Sequence, residues 1–72
     1  MDIKKINDIR TFYNFGATHQ QIIDEFGINL AQSLAINIVS KLQVSDEFLL
    51  AKMDEITPEM NPDKIRQVLG LS

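Results

Sequence analysis

Few side chains in this 72-residue chain could take part in catalysis. His19 is the single histidine and there is no cysteine, which argues against a metal site built from these ligands. A serine nucleophile would need His19 beside it and a third group to orient the imidazole, and no such group lies nearby in the sequence. We expect His19 to face solvent in the first turn of a helix.

The acidic residues do not form an evident acid–base pair either. Adjacent residues on a helix point in different directions, so neighbouring carboxylates indicate solvated helix faces. There is also no glycine-rich phosphate loop. The sequence therefore predicts a protein that is not an enzyme and has no cofactor, metal or small-molecule substrate. The adjacent carboxylate pairs are Asp24-Glu25, Asp46-Glu47 and Asp54-Glu55.

The net charge of −3 is unevenly distributed along the chain. Residues 1–43 contain four basic and four acidic residues, whereas residues 44–72 contain three basic and six acidic residues. Because DNA phosphates repel carboxylates, any contact with DNA is expected in the N-terminal part. The N-terminus lacks the apolar run of a signal peptide, and no apolar segment approaches the ~20 residues that span a bilayer. We expect a cytoplasmic protein with no membrane contact.

The spacing of the apolar residues predicts an all-α fold, a compact bundle of about five short helices in a single domain over residues 1–72. The helix-turn-helix core is expected at residues 3–43, and acidic C-terminal helices at residues 46–71. In the first helix, over residues 3–14, we expect the aromatic cluster to pack into the core. The later helices are expected from Thr18 to Gly27, from Leu30 to Gln43, from Ser45 to Ile56 and from Asn61 to Gly70. The aromatic cluster comprises Phe12, Tyr13 and Phe15.

The third helix is the most apolar and is expected at the centre of the bundle. On a wheel of ~100° per residue, Leu34 and Ile38 belong to its broad apolar face and Ile36 falls at a flank, where it is expected to be exposed. The opposite side is predicted to be a polar stripe facing solvent. The apolar face comprises Ala31, Leu34, Ala35, Ile38, Val39 and Leu42.

The segment NFGATHQQIIDEFGIN, residues 14–29, resembles the start of the helix-turn-helix in small bacterial and phage regulators. It has a glycine before the unit, a capped first helix with the aliphatic pair Ile22-Ile23, an apolar Phe26, and then Gly27 followed by an aliphatic and a polar residue. The resemblance covers about residues 14–42 and implies a helix-turn-helix at residues 18–42. It further implies a regulatory protein that binds DNA through its third helix. A homodimer is expected to double the contacts.

The polar positions of this unit are the candidate DNA contacts. Asn and Gln side chains can pair with adenine, and Lys41 can meet the phosphate backbone. Arg10, with Lys4 and Lys5, could add positive charge if the first helix runs near the DNA. The candidate DNA-binding residues are Thr18, His19, Gln20, Gln32, Ser33, Asn37, Ser40 and Lys41.

The register of the third helix differs from the common helix-turn-helix pattern. That pattern buries the positions six and nine residues after the turn glycine, which are Ser33 and Ile36 here. Since Leu34 and Ile38 are better suited to burial, we expect a longer turn, a rotated third helix or a mimic of the motif.

A second hypothesis is an acidic helical module for protein–protein interaction, such as an adaptor, an inhibitor or a phage assembly component, with no DNA binding. Its acidic C-terminal half would meet a basic protein partner, and methionines would make the apolar surface adaptable. The candidate partner-binding residues are Phe48, Leu49, Met53, Ile56 and Met60.

Overall fold

A computed structural model describes residues 1–71 of the chain, and these residues form five α-helices and no β-strand. The predicted all-α fold of about five helices is therefore confirmed. In chain order the helices are α1 (Ile3–Asn14), α2 (His19–Phe26), α3 (Leu30–Val39), α4 (Asp46–Met53) and α5 (Pro62–Val68).

Every helix begins with a side chain that caps its free backbone amides. Thr18 accepts a hydrogen bond from the Gln21 amide while the Gln21 side chain accepts from the Thr18 amide, which together form a capping box at the start of α2. Asn29 and Gln32 form a second box at α3. Single side chains cap the other three helices, namely Asp2 at α1, Ser45 at α4 and Asn61 at α5.

Two helices are shorter than the sequence pattern indicated. The third helix ends at Val39 rather than Gln43, and the fourth ends at Met53 rather than Ile56. Leu42 lies beyond the end of α3 and is exposed, although it was expected on the buried face. In the sequence, apolar residues continue at helical spacing beyond Val39 and Met53, but both helices end before these residues.

The core lies between α3 and the helices around it. Helix α3 packs against α1, α2 and α5, and α4 packs against α1. Full burial of an aliphatic side chain contributes about 1.5–3 kcal/mol, so a small set of isoleucines provides much of the stability. The largest fully buried apolar side chains are Ile6, Ile9, Ile22, Ile36, Val39, Leu49 and Ile65.

Candidate nucleic-acid interface

The turn between α2 and α3 fixes the angle of the central helix pair. It consists of Gly27, Ile28 and Asn29, and Gly27 takes the left-handed conformation at φ 67° that glycine adopts without strain. The chain direction bends by 118° between the two helices. Helix-turn-helix pairs combine a turn of three or four residues with an angle of about 90–120°, and α2 and α3 fit that description.

The register of α3 corrects the prediction made from apolar spacing. Ser33 and Ile36, six and nine residues after Gly27, are both 0% exposed. Leu34 and Ile38 are only half-buried, so the expected burial of these two residues and the expected exposure of Ile36 were wrong. The turn has three residues and is therefore not longer than usual, and the burial of Ser33 and Ile36 argues against a rotated third helix. The third alternative, a mimic of the motif, stays open. The buried positions match those of the common pattern.

A polar cluster explains how Ser33 can be buried. The Tyr13 hydroxyl lies 2.9 Å from His19 Nδ1 and 3.1 Å from the Ser33 carbonyl oxygen, and it also hydrogen-bonds with the Ser33 hydroxyl. The cluster joins α1, α2 and α3 at one point. Burial raises the pKa of the Tyr13 phenol above its ordinary value, and the Ser33 hydrogen bond opposes this effect.

This packing makes three of the predicted DNA-binding residues inaccessible or only partly accessible. Ser33 is buried and bonded to Tyr13, so its side chain cannot meet a base edge. Ser40 is also buried, with its hydroxyl donating to the Asn37 carbonyl oxygen at 2.8 Å, and is removed for the same reason. His19 is half-buried against Tyr13 rather than solvent-facing, and its ring nitrogen Nδ1 faces the cluster.

Arg10 is also engaged inside the molecule. Its guanidinium donates to the carbonyl oxygens of Val39, Leu42 and Val44 and to the Asp46 carboxylate, at 2.6–3.1 Å. It therefore satisfies carbonyl groups at and beyond the C-terminus of α3 and ties α1 to the start of α4. The prediction that Arg10 could lie free near DNA was wrong. Its partners are 29–36 residues away along the chain, so no local pattern marks this role.

The remaining predicted contacts are accessible to different degrees. Thr18, Gln20, Asn37 and Lys41 are exposed, whereas Gln32 is half-buried and its side-chain oxygen accepts from the Asn29 amide. Thr18 and Gln20 are also engaged locally, with the Gln21 amide and the Asp24 carboxylate respectively. The side chains of Asn37 and Lys41 make no hydrogen bond to any residue in 1–71.

Two leucines join Asn37 and Lys41 on the open side of α3. Leu30 is 54% exposed, and Leu34, which was expected on the buried face, is half-buried. Ser40 keeps helical dihedral angles, and Lys41 follows it in the turn after α3. At ~100° per residue the four side chains fall within an arc of roughly 60°. We name this surface the α3 stripe; it consists of Leu30, Leu34, Asn37 and Lys41.

The partner surface predicted in the C-terminal half is not formed. Leu49, Met53 and Ile56 are buried in the core, so the predicted exposure of these three residues was wrong. Phe48 is partly exposed under the Lys52 ammonium group, and Met60 is half-buried. Leu49 and Met53, four residues apart on α4, face inward because α4 packs against α1.

The aromatic cluster in and just after α1 was expected in the core, but only one of its three side chains is buried. Tyr13 is buried, but Phe12 is 43% exposed and Phe15 is 89% exposed. Phe15 lies just beyond α1, where the helix has ended and no other element covers it. The predicted burial of Phe12 and Phe15 was therefore wrong.

The described residues offer neither a cluster of metal ligands nor a single membrane-spanning helix. His, Asp and Glu side chains of residues 1–71 form no group of three that could hold a metal ion. In the same range no single helix is long and apolar enough to cross a membrane, and α2 and α3 reach that threshold only when added together across their bend. Comparisons with protein families, curated proteins and solved structures find no match for this chain.

Proposed function

We propose that this domain binds double-stranded DNA by laying the α3 stripe in the major groove, as regulatory proteins of the bacterial and phage helix-turn-helix type do. The observation that carries the proposal is the α2–α3 pair, with its three-residue turn and 118° bend. The buried Ser33 and Ile36 strengthen it, because they occupy the positions that the common pattern buries.

The chemistry of the stripe favours A·T base pairs. Asn37 can hydrogen-bond adenine at N6 and N7, which is a bidentate contact that distinguishes adenine in the major groove. Leu30 and Leu34 present methyl groups, which suit the 5-methyl group of thymine. Lys41 is left for a backbone phosphate, which carries no base specificity. First-turn amides of α2 beside Thr18 and Gln20 would meet a neighbouring phosphate.

Electrostatics limit the strength of this binding. Arg10 is bonded inside the fold and the Lys4 ammonium lies 2.9 Å from the Asp8 carboxylate, so few cations remain near the stripe. Affinity for DNA depends largely on neutralised phosphates, and each contact contributes about −0.9 to the slope of log K against log salt. We therefore expect a single copy to bind weakly with a shallow salt dependence. Two copies would double the contacts.

The test is a titration of fluorescently labelled A·T-rich and G·C-rich duplexes at low salt, followed by anisotropy. The A·T-rich duplex is expected to bind more tightly. Asn37→Ala should weaken that binding by about five- to 150-fold, because a bidentate base contact contributes about 1–3 kcal/mol. Lys41→Ala should weaken both duplexes equally and reduce the salt slope by about one.

Asn14→Ala is the matched control, since Asn14 is also an exposed asparagine at the end of a helix but lies on α1. It should leave the affinity unchanged. The proposal is abandoned if neither duplex binds at low salt, or if Asn37→Ala and Asn14→Ala behave alike.

A further inference from the structure

An open groove of ≈ 920 Å³ lies between the C-terminal end of α1 and the outer side of α2. Its apolar walls are aromatic, and its other side is formed by α2 with two carboxylates. We name it the aromatic groove. It is lined chiefly by Phe12, Phe15, Ala17, Gln21, Asp24 and Glu25.

The backbone that presents the exposed Phe15 ring is held by hydrogen bonds. The Ala17 amide donates to the Phe12 carbonyl oxygen at 3.0 Å and the Gly16 amide donates to that of Tyr13, which together form a Schellman ending of α1. Gly16 takes the left-handed conformation, at φ 94°, that this ending requires. These hydrogen bonds hold the backbone on both sides of Phe15, while its side chain remains exposed to solvent.

The floor of the groove is supported by a second aromatic contact. The Phe12 ring meets the half-buried Phe26 ring edge to face, with centroids 5.2 Å apart. Such pairs stabilise by about 0.5–1.5 kcal/mol beyond the area they bury. The contact with Phe26 thus holds the partly exposed Phe12 ring in place, and the groove is formed in the chain without a partner.

The charge of the groove determines what can occupy it. Asp24 and Glu25 line it, and no Lys, Arg or His of the described residues does. DNA would be repelled by these carboxylates. A second copy related by two-fold symmetry would bring the same carboxylates together, which is unfavourable for a chain of net charge −3.

We propose that the aromatic groove binds a segment of a partner protein that carries a large apolar side chain next to Lys or Arg. The apolar side chain would pack on Phe12 and Ala17, and the cation would meet Asp24 and Glu25 while lying over the face of Phe15. Aromatic anchors beside charged groups are typical of residues that dominate binding energy. This surface is separate from the α3 stripe, so the proposal does not depend on DNA binding.

The experiment uses three synthetic amphipathic peptides and the ¹⁵N-labelled full chain. One peptide has leucines with flanking lysines, the second replaces the lysines with glutamates, and the third replaces the leucines with serines. The first peptide is expected to shift the amide resonances of residues 11–17 and 20–25. The other two should bind at least tenfold more weakly.

Two variants test the groove residues. Phe15→Ser and the double variant Asp24→Asn with Glu25→Gln should each weaken the basic peptide about tenfold or more. Phe15 has its side chain in solvent, so circular dichroism is expected to show an unchanged fold. Leu42→Ser is the control because Leu42 is another exposed apolar side chain but lies after the end of α3, away from the groove residues, and it should leave the affinity unchanged.

Several results would overturn the proposal. These are no binding of the basic peptide at millimolar concentration, equal binding of the acidic peptide, unchanged affinity of Phe15→Ser, or resonance shifts located elsewhere. Sedimentation supplies a further check: if wild-type chain dimerises and Phe15→Ser is monomeric, the occupant is a second copy and the partner proposal fails. The DNA titration of the α3 stripe remains independent of all these outcomes.

Discussion

The two sides of α3 each contain residues that a simple amphipathic helix would place on the opposite side. The buried face includes Ser33 and Ser40, whereas the open stripe includes Leu30 and Leu34. A simple amphipathic helix would bury the leucines and expose the serines. The difference shows that hydrogen-bond partners and shape decide which side of this helix faces the core.

The buried serines are stable inside because each hydroxyl has a partner nearby. Ser33 bonds to Tyr13 on α1, and Ser40, which follows α3, donates to the Asn37 carbonyl oxygen in the last turn of that helix. An unpaired buried hydroxyl would cost about 1–3 kcal/mol, and no side-chain polar atom buried within residues 1–71 lacks a partner. Leu30 is 54% exposed and Leu34 packs only partly against the core, and the proposed DNA binding would use the exposed parts of both side chains.

The largest effect on stability is expected from replacing Arg10, whose guanidinium binds carbonyl oxygens at the end of α3. Arg10→Met keeps much of the apolar stem but removes the donor to three carbonyl oxygens and to the Asp46 carboxylate. The Val39 carbonyl oxygen and the Asp46 carboxylate each keep a second donor. The carbonyl oxygens of Leu42 and Val44 lose the donor that Arg10 supplies. We expect a loss on the order of 3 kcal/mol in the free energy of unfolding, measured by urea denaturation at neutral pH. For a chain of this length, the total is about 4–10 kcal/mol.

Arg66→Met is the control for this change, since Arg66 is an exposed arginine in the last turn of α5. Its free energy of unfolding should change by no more than about 0.5 kcal/mol. Equal effects of the two variants would show that the Arg10 contacts contribute little to stability.

A smaller effect is expected at the Tyr13 cluster. Tyr13→Phe keeps the ring but removes the hydroxyl that serves both Ser33 and His19, and it should lower the free energy of unfolding by about 1–2 kcal/mol. Leu30→Ser, on the open stripe, should change it by about 0.5 kcal/mol at most. If Leu30→Ser is as destabilising as Tyr13→Phe in urea, the proposed contrast between the two faces is incorrect.

The smallest effect concerns pH. Because burial raises the pKa of Tyr13 above 10.0, the folded protein favours the neutral phenol. The resulting stabilisation is complete below pH 10.0 and is lost as pH rises through the raised pKa. Tyr13 is the only tyrosine and there is no tryptophan, so ultraviolet absorbance of the tyrosinate reports this group alone.

The titration midpoint should lie above pH 10.0 in the folded protein and return to it in urea. A folded midpoint at or below the urea value would contradict the burial of the phenol. The Ser33→Ala variant sharpens the test, since it removes a hydrogen bond that lowers the pKa and should move the midpoint further upward.

Local features of the sequence were sufficient to predict the helices. Thr18 and Asn61 lie at the expected starts of the second and fifth helices and cap α2 and α5 in the structure, and Gly27 lies at the expected turn. These features could be predicted because each acts on amides or dihedral angles within a few residues. The exposed Phe15 could not, because its accessibility depends on what other helices leave uncovered.

The sequence by itself determined that the chain forms five capped helices and where α2 turns into α3, because capping and glycine turns are short-range interactions. Only the tertiary structure decided which side of α3 is open and that Arg10 is committed to the core. Both depend on hydrogen bonds between distant parts of the chain, such as Tyr13 with Ser33 and Arg10 with Asp46. Helical periodicity measures polarity along one helix, and it contains no information about the partners that another helix brings to it.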